Sequence, residues 1–198
     1  MSSQMPYQPL LLRIFHNISG LLAIGALLTG FLVYNTYDRR FGGIPFPKIH
    51  DIQGIHGSLG LFFLLVFPFL AIYSFHWGSK KLLSADFAKK ITQNIGQPAW
   101  WVNWQRITNT LILLAATLSV MSGRMMKEAW LPAGELHHVW YNLHLIAWVI
   151  LLFSLMAHIS MSLRVGGISL LRSMVNWRYR ASDSPSLWLR WLRSRLRR

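Results

Sequence analysis

Four long apolar runs constrain the fold of this chain more than any other feature of its sequence. They cover residues 10–34, 55–77, 107–123 and 139–163. A hydrocarbon core takes about 20 helical residues to cross, and the runs lack the period-2 alternation of barrel strands. Trp100, Trp101 and Trp104 precede the shortest run and are expected to anchor it at the membrane surface. The sequence therefore predicts an all-α, integral-membrane four-helix bundle.

Lysine and arginine are distributed unequally among the polar segments around these runs. The side that includes both termini carries Arg13, four lysines between residues 80 and 90, Arg106, and nine arginines from Arg164 onward. The other side carries five cations and four carboxylates. By the positive-inside rule both termini are expected to lie on the cytoplasmic side of the membrane. The formal net charge of +14 is thus explained by topology, and no recognition module suggests a nucleic-acid partner.

The C-terminal segment differs in composition from the four-span body. Beyond a polar stretch at residues 182–185, two leucines and two tryptophans recur at helical spacing among five arginines. This pattern predicts an amphipathic interfacial helix on an anionic inner leaflet, the alternative being an unstructured basic tail. Two domains are expected: a four-span body at residues 1–175 and a basic cytoplasmic tail at residues 176–198.

Several kinds of chemistry are excluded by what the sequence lacks. It contains no cysteine, which excludes disulfides, iron–sulfur clusters, thiolate catalysis and covalently attached c-type haem. The spans hold no aspartate or glutamate beyond their boundary residues, which argues against a di-iron carboxylate site or a carboxylate proton pump. No phosphate-binding glycine loop or dinucleotide fingerprint is present, and no catalytic acid or nucleophile is identified.

Histidines inside the spans are the most informative residues. His144 and His158 lie fourteen residues apart on the fourth span, which places them on one helical face about 21 Å apart along the axis. His16, on the first span, is expected at the depth of His158, and His56, on the second span, at the depth of His144. Two bis-histidine pairs follow, and bis-imidazole coordination in a four-helix bundle is how b-type haem is held. The sequence predicts two haems b, their irons bound by His16 with His158 and by His56 with His144.

The other histidines are weaker candidates. His76 is expected to face outward, and His50 and His138 to be solvated loop residues. His137 lies seven residues before His144 on nearly the same face, where it could donate to a haem propionate or replace His144 as ligand.

Three residues near the predicted ligands have two readings each. Gly20 and Gly60 follow His16 and His56 by one helical turn, so they either leave room for a macrocycle or allow ordinary helix packing. Arg13 lies on the same face as His16 and either pairs with a propionate or snorkels to water.

Three segments resemble the bacterial cytochrome b561 superfamily, and most closely the di-haem cytochrome b subunits of formate dehydrogenases and nickel–iron hydrogenases. The segments are RIFHNISGLLAIGALLTGF, which contains His16 and the pair Thr29-Gly30, GIHGSLG, and HLIAWVILLFSLMAHI. The resemblance covers roughly residues 10–170. It implies bis-histidine haems with the pairing given above and electron exchange with membrane quinone. In such subunits a quinone site lies near the cytoplasmic haem, and here Asn103, Gln105 and Arg106 occupy similar positions, unless they are simply interfacial polar residues.

The function expected is transmembrane electron transfer through two bis-histidine haems, between the quinone pool and a redox partner protein or catalytic subunit. Whether the chain is itself a quinone-linked oxidoreductase is left open. One alternative is a haem-free membrane anchor or assembly factor. Another is a single chain that passes electrons from superoxide or a similar small reductant to quinone, for which His50, His137 and His138 are the candidate residues.

Overall fold

The fold is described from a computed structural model, which covers residues 6–93 and 95–176 and the single positions Arg178, Asp183 and Leu187. The described residues form helices and no strands. Four helices are long and apolar enough to cross a membrane. They are α1 (Leu10–Tyr37), α2 (Ile52–His76), α4 (Pro98–Met125) and α5 (Val139–Val175). A 3-10 turn (Ser79–Lys81) and the short helix α3 (Phe87–Thr92) lie between α2 and α4. The four-helix fold predicted from the sequence is confirmed.

Two helices extend further than the apolar runs that predicted them. Helix α4 begins at Pro98, where proline suits the first helical turn, so the three tryptophans at its start belong to the helix itself. Helix α5 continues to Val175, past the predicted end at residue 163, across a break at Gly167. Gly167 has φ +63°, a backbone conformation that glycine adopts at little cost. The predicted amphipathic helix of the tail lies almost wholly outside the described residues.

The four long helices form two pairs. Helix α1 packs along α2 and α4 packs along α5, whereas α1 touches α5, and α2 touches α4, at few places. At mid-membrane the pairs meet in a buried cluster that includes Leu27, Phe63, Phe67, Leu113 and Leu151. Between helices in lipid, such contacts stabilise chiefly through van der Waals packing. Leu151 lies midway between His144 and His158 on α5, so the two levels of intramembrane histidines lie on either side of this cluster.

The N-terminal end of α1 is hydrogen-bonded to the chain that follows the break in α5. The Tyr7 amide donates to Ser173 Oγ at 3.0 Å, and Asn17 Nδ2 donates to the Met174 carbonyl at 2.9 Å. The guanidinium of Arg13 donates to the carbonyls of Asn176 and Arg178, and the residue is 2% exposed. Of the two readings of Arg13, snorkelling to water is wrong, because the guanidinium is buried and hydrogen-bonded to the chain that follows α5. Pairing with a propionate stays a prediction.

The outer ends of α1 and α5 are joined by a second polar contact. Arg40 Nε donates to Asp38 at 2.9 Å, and Tyr141 Oη donates to the same carboxylate at 2.7 Å. Arg40 also donates to the Leu136 carbonyl at 2.7 Å. Burial alone would raise the pKa of Asp38, but the hydrogen bonds from Arg40 and Tyr141 outweigh it and hold the pKa below the ordinary value. The ionised carboxylate thus stabilises the outer end of the bundle.

We expect this contact to make stability fall at low pH. Because the pKa of Asp38 is lower in the folded protein, its contribution is fully present above the unfolded pKa of about 4 and is lost as pH falls through the folded pKa. The Tm of the purified protein in detergent should decline between pH 5 and pH 3. The variant Asp38→Asn should have a Tm a few degrees lower at pH 7 and a shallower decline. An equally steep decline in the variant would contradict the assignment.

Candidate functional site

The structure brings the four intramembrane histidines together as two pairs. His16 on α1 faces His158 on α5 with their ring centroids 6.1 Å apart, and His56 on α2 faces His144 on α5 at 6.0 Å. The two members of each pair come from opposite helix pairs, so each couple joins α1/α2 to α4/α5. The depths and partners are those that helical spacing predicts.

The separation within each pair fits two imidazoles that bind one metal between them. Two imidazoles that bind one iron from opposite sides, each through a metal–nitrogen bond of about 2 Å, have centroids about 6 Å apart. A direct hydrogen bond between the rings would bring them closer. Both pairs therefore have the spacing of two axial ligands on a single metal.

In the outer pair, His56 and His144, each Nδ1 lies within hydrogen-bond distance of an oxygen atom. Thr29 Oγ1 donates its hydrogen to the Gly25 carbonyl at 2.7 Å, so it presents a lone pair to His56 Nδ1 at 3.1 Å. His144 Nδ1 lies 3.0 Å from the Ser119 carbonyl, which can only accept. Ser122 Oγ, also 3.1 Å from His144 Nδ1, gives its hydrogen to the Leu118 carbonyl. His144 must therefore carry its hydrogen on Nδ1, and the hydrogen bond from Thr29 to Gly25 favours the same tautomer for His56.

In the inner pair, His16 and His158, each Nδ1 lies near the side-chain amide of an asparagine instead. Asn109 Oδ1 lies 2.8 Å from His158 Nδ1, while its Nδ2 donates to the Lys81 carbonyl at 2.9 Å. Asn17 Oδ1 lies 3.4 Å from His16 Nδ1, and its Nδ2 donates to the Met174 carbonyl. Each amide is oriented by a carbonyl that cannot donate, so in each case the amide oxygen faces the imidazole.

All four Nε2 atoms are consequently lone-pair donors. Among the described residues none of them has a hydrogen-bond partner, and each belongs to a ring that faces its counterpart across the gap. Neutral imidazole with one nitrogen bonded to an acceptor and the other free is the form that binds metal. Within the same described part of the chain no group of three or more His, Cys, Asp or Glu side chains could hold a metal ion by itself. The donor set fits a porphyrin-bound iron, whose macrocycle supplies the other four ligands.

The glycines around the histidines fall into two classes. A Cβ added at Gly20 or Gly60 would meet nothing within 4 Å, which disfavours close helix packing as the reason for glycine there. A Cβ at Gly30 would meet the His56 ring at 3.1 Å, and one at Gly123 would meet the His144 ring at 3.1 Å. Gly30 and Gly123 thus allow the backbones of α1 and α4 to lie close to the rings of His56 and His144. Gly20 and Gly60, one turn after His16 and His56, border open space.

A groove with several polar lining residues lies near the N-terminal end of α4. It has a volume of about 380 Å³ and is lined by Lys90, Gln93, Ala99, Val102, Asn103 and Arg106. Of the three predicted quinone-site residues, it therefore includes Asn103 and Arg106. Gln105 points elsewhere, because its side chain donates to Ser162 Oγ on α5 at 3.1 Å. Arg106 lies one helical turn before Asn109 on α4. The side chain of Asn109 contacts His158, one of the two inner histidines.

The remaining histidines stand apart from the two pairs. His50, His76 and His137 are exposed. His138, expected to be a solvated loop residue, keeps 38% of its side chain exposed, while its ring stacks on Trp130 at 3.7 Å and contacts Glu135 at 3.0 Å. The alternative in which His137 replaces His144 is wrong, since His144 is the residue that faces His56.

Sequence reasoning missed the residues that orient the ligands. Asn109, Ser119 and Ser122 lie on α4, a helix that contributes no histidine, and Gly123 follows them. Polar side chains within an apolar span were the available signal, because such groups need a partner inside the membrane.

Comparison with known families gives one match. The family model described as prokaryotic cytochrome b561 matches residues 7–177. Comparison with curated proteins and with solved structures gives no match.

The open space next to Gly60, one helical turn after His56, leads to a testable prediction. Gly60→Leu should fill the open volume that the fit of a macrocycle requires, so the haem content should fall from about two to about one per chain. Gly57→Leu is the matched control, because Gly57 is on the same helix, has equally open space, but is exposed on the outside of the bundle. Haem is measured by pyridine haemochrome against protein. Equal haem content in the two variants would contradict the assignment.

Proposed function

This chain belongs to the prokaryotic cytochrome b561 family, and from that membership and the arrangement of its histidines we propose that it holds two haems b. The family carries electrons across the membrane through b-type haem, and the four spans make the chain a multi-pass protein of the bacterial inner membrane. The finer proposal concerns the number of haems, their ligands and the partners with which they exchange electrons.

His16 and His158 would hold the inner haem, and His56 and His144 the outer one. The single observation that carries this assignment is the state of the four imidazoles: each has Nδ1 bonded to an acceptor, and the free nitrogens belong to rings about 6 Å apart. A chain that used these histidines only for packing would satisfy both ring nitrogens with protein partners. This difference favours the cytochrome over a haem-free anchor or assembly factor.

Haem would supply a one-electron redox couple. The chain would set the distance between the two haems and the potential of each. Fourteen residues separate His144 from His158, a rise of about 21 Å along α5. Leu151 lies midway and belongs to the mid-membrane cluster, which keeps the two levels apart and excludes water between them. The imidazoles and their acceptors tune the potential at each level.

The groove near the inner pair is proposed as the quinone site. Arg106 and Lys90 offer cationic donors and Asn103 an amide, which suits the carbonyl oxygens of a quinone head. Its position on α4, one turn from the residue that bonds His158, supports electron exchange with the inner haem. Gln105 is left out of this proposal because it is bonded to α5.

The finer likeness to the di-haem subunits of formate dehydrogenases and nickel–iron hydrogenases supports a role beside a catalytic partner. The chain would then exchange electrons with that partner at the outer haem and with quinone at the inner groove. The superoxide alternative rests on His50, His137 and His138, which lie apart from the two histidine pairs, and no described contact links them to either pair. The division into a body at residues 1–175 and a membrane-bound tail at residues 176–198 remains part of this proposal.

Haem content in histidine variants tests the ligand assignment. We expect about two haems per chain in the wild type, with His16→Ala and His158→Ala each losing the same spectral component. His56→Ala and His144→Ala should each lose the other component. His76→Ala is the control that retains both. Losses that group His144 with His158 would contradict the pairing, and a wild-type sample without a b-type α band would favour the haem-free alternative.

Substitution of Arg106 tests the quinone groove. Arg106→Gln removes a charged hydrogen-bond donor, so the KM for a short-chain quinol should rise about tenfold. Haem content and reduction by dithionite should stay unchanged. Lys89→Gln is the control, since Lys89 is the neighbour of Lys90 but does not line the groove. An unchanged KM in Arg106→Gln would rule the groove out as the site.

A further inference from the structure

The amide of Asn109 links the ligand of the inner site to a cytoplasmic loop. Its Nδ2 donates to the Lys81 carbonyl at 2.9 Å, and its Oδ1 lies 2.8 Å from His158 Nδ1. A backbone carbonyl has no hydrogen to give, so the amide cannot turn over without placing two acceptors against each other. The loop thereby determines which atom of Asn109 faces the histidine.

The Lys81 carbonyl is itself held in place relative to α4. Lys81 lies in the 3-10 turn, where its amide donates to the Gly78 carbonyl at 2.8 Å. Two residues further on, the Leu83 amide donates to Thr110 Oγ1 at 2.9 Å. Asn109 and Thr110 are adjacent on α4, so the segment 81–83 is tied to the helix at two neighbouring positions. Of these two hydrogen bonds, the one between the Lys81 carbonyl and Asn109 leads on to His158, because Asn109 Oδ1 contacts His158 Nδ1.

The other three histidines are oriented differently. His56 and His144 use hydroxyl and carbonyl oxygens of the neighbouring helices at 3.0–3.1 Å, and the contact of His16 with Asn17 is longer, at 3.4 Å. Asn109 thus makes the shortest of these contacts and joins His158 to a loop rather than to a helix backbone. The inner site therefore has an orienting group that the outer site lacks.

We propose that Asn109 is a positioning residue that fixes the tautomer and electron-donating strength of His158 and thereby sets the potential of the inner haem independently of the outer one. The inference rests on the proposed function, since it assumes that His158 binds iron. An acceptor on Nδ1–H makes the imidazole a stronger donor to the metal, which favours ferric over ferrous iron. Loss of the acceptor should raise the potential.

Redox titration of the purified protein with both haems bound tests the proposal. Asn109→Leu removes the acceptor and should shift one of the two haem potentials to a more positive value. Asn109→Asp keeps an oxygen opposite Nδ1 and, as the neutral acid, can still donate a hydrogen to the Lys81 carbonyl, so that potential should stay at the wild-type value or fall below it. The second haem should be unaffected in both variants. Low-spin ferric EPR signals should change for the same haem alone.

Thr110→Val is the matched control. It removes the neighbouring tie between the loop and α4 but leaves both hydrogen bonds of Asn109 in place, so both potentials should remain unchanged. A shift as large as that of Asn109→Leu would mean that loosening the loop is the cause, and would overturn the proposal.

The remaining outcomes separate this inference from the function on which it rests. Potentials of two bis-histidine haems that do not respond to Asn109→Leu would overturn the role of Asn109 and leave the di-haem assignment standing. A positive shift in Asn109→Asp, or loss of its inner haem, would overturn it as well. If the wild type binds fewer than two haems, the di-haem proposal fails and this inference with it.

Discussion

An imidazole can bind iron only through a nitrogen that carries a lone pair, and the rest of this structure serves to provide four such nitrogens in a medium without water. Each Nδ1 hydrogen is given to an oxygen that cannot return one, whether a carbonyl, a hydroxyl already used as a donor, or an amide oxygen. Inside a bilayer these acceptors must come from the protein itself. Hydrogen bonding thus favours, for each of the four histidines, the tautomer whose Nε2 can bind a metal.

The division of the bundle into two helix pairs follows the same requirement. Close contact of all four helices along their whole length would leave no room between facing rings, whereas a bundle without central contact would not hold them at a fixed distance. The mid-membrane cluster around Leu151 supplies that contact, and the polar ties at Asp38 and Arg13 hold the outer and inner ends. Spacing of about 6 Å within each histidine pair is thus maintained from both sides.

Much of this arrangement could be predicted from the sequence. Apolar runs identify the four spans, and the rise of an α-helix places His16 with His158 and His56 with His144 at two depths. Periodicity could not show that α4 begins at Pro98 or that α5 continues beyond Gly167, because these extensions contain polar residues. Nor could it show the partners of Arg13 or Asn109. Those contacts join segments far apart in sequence, and only the folded chain brings an amide of α4 between a loop carbonyl and a histidine of α5.

The most direct test of the account is an experimental density map of the haem-containing protein in lipid. Two planar densities should lie between the α1/α2 and α4/α5 pairs. One iron should be bonded to Nε2 of His16 and His158, the other to Nε2 of His56 and His144. The account is contradicted if the gap is filled by side chains or lipid, or if any of these rings turns its Nδ1 toward the metal.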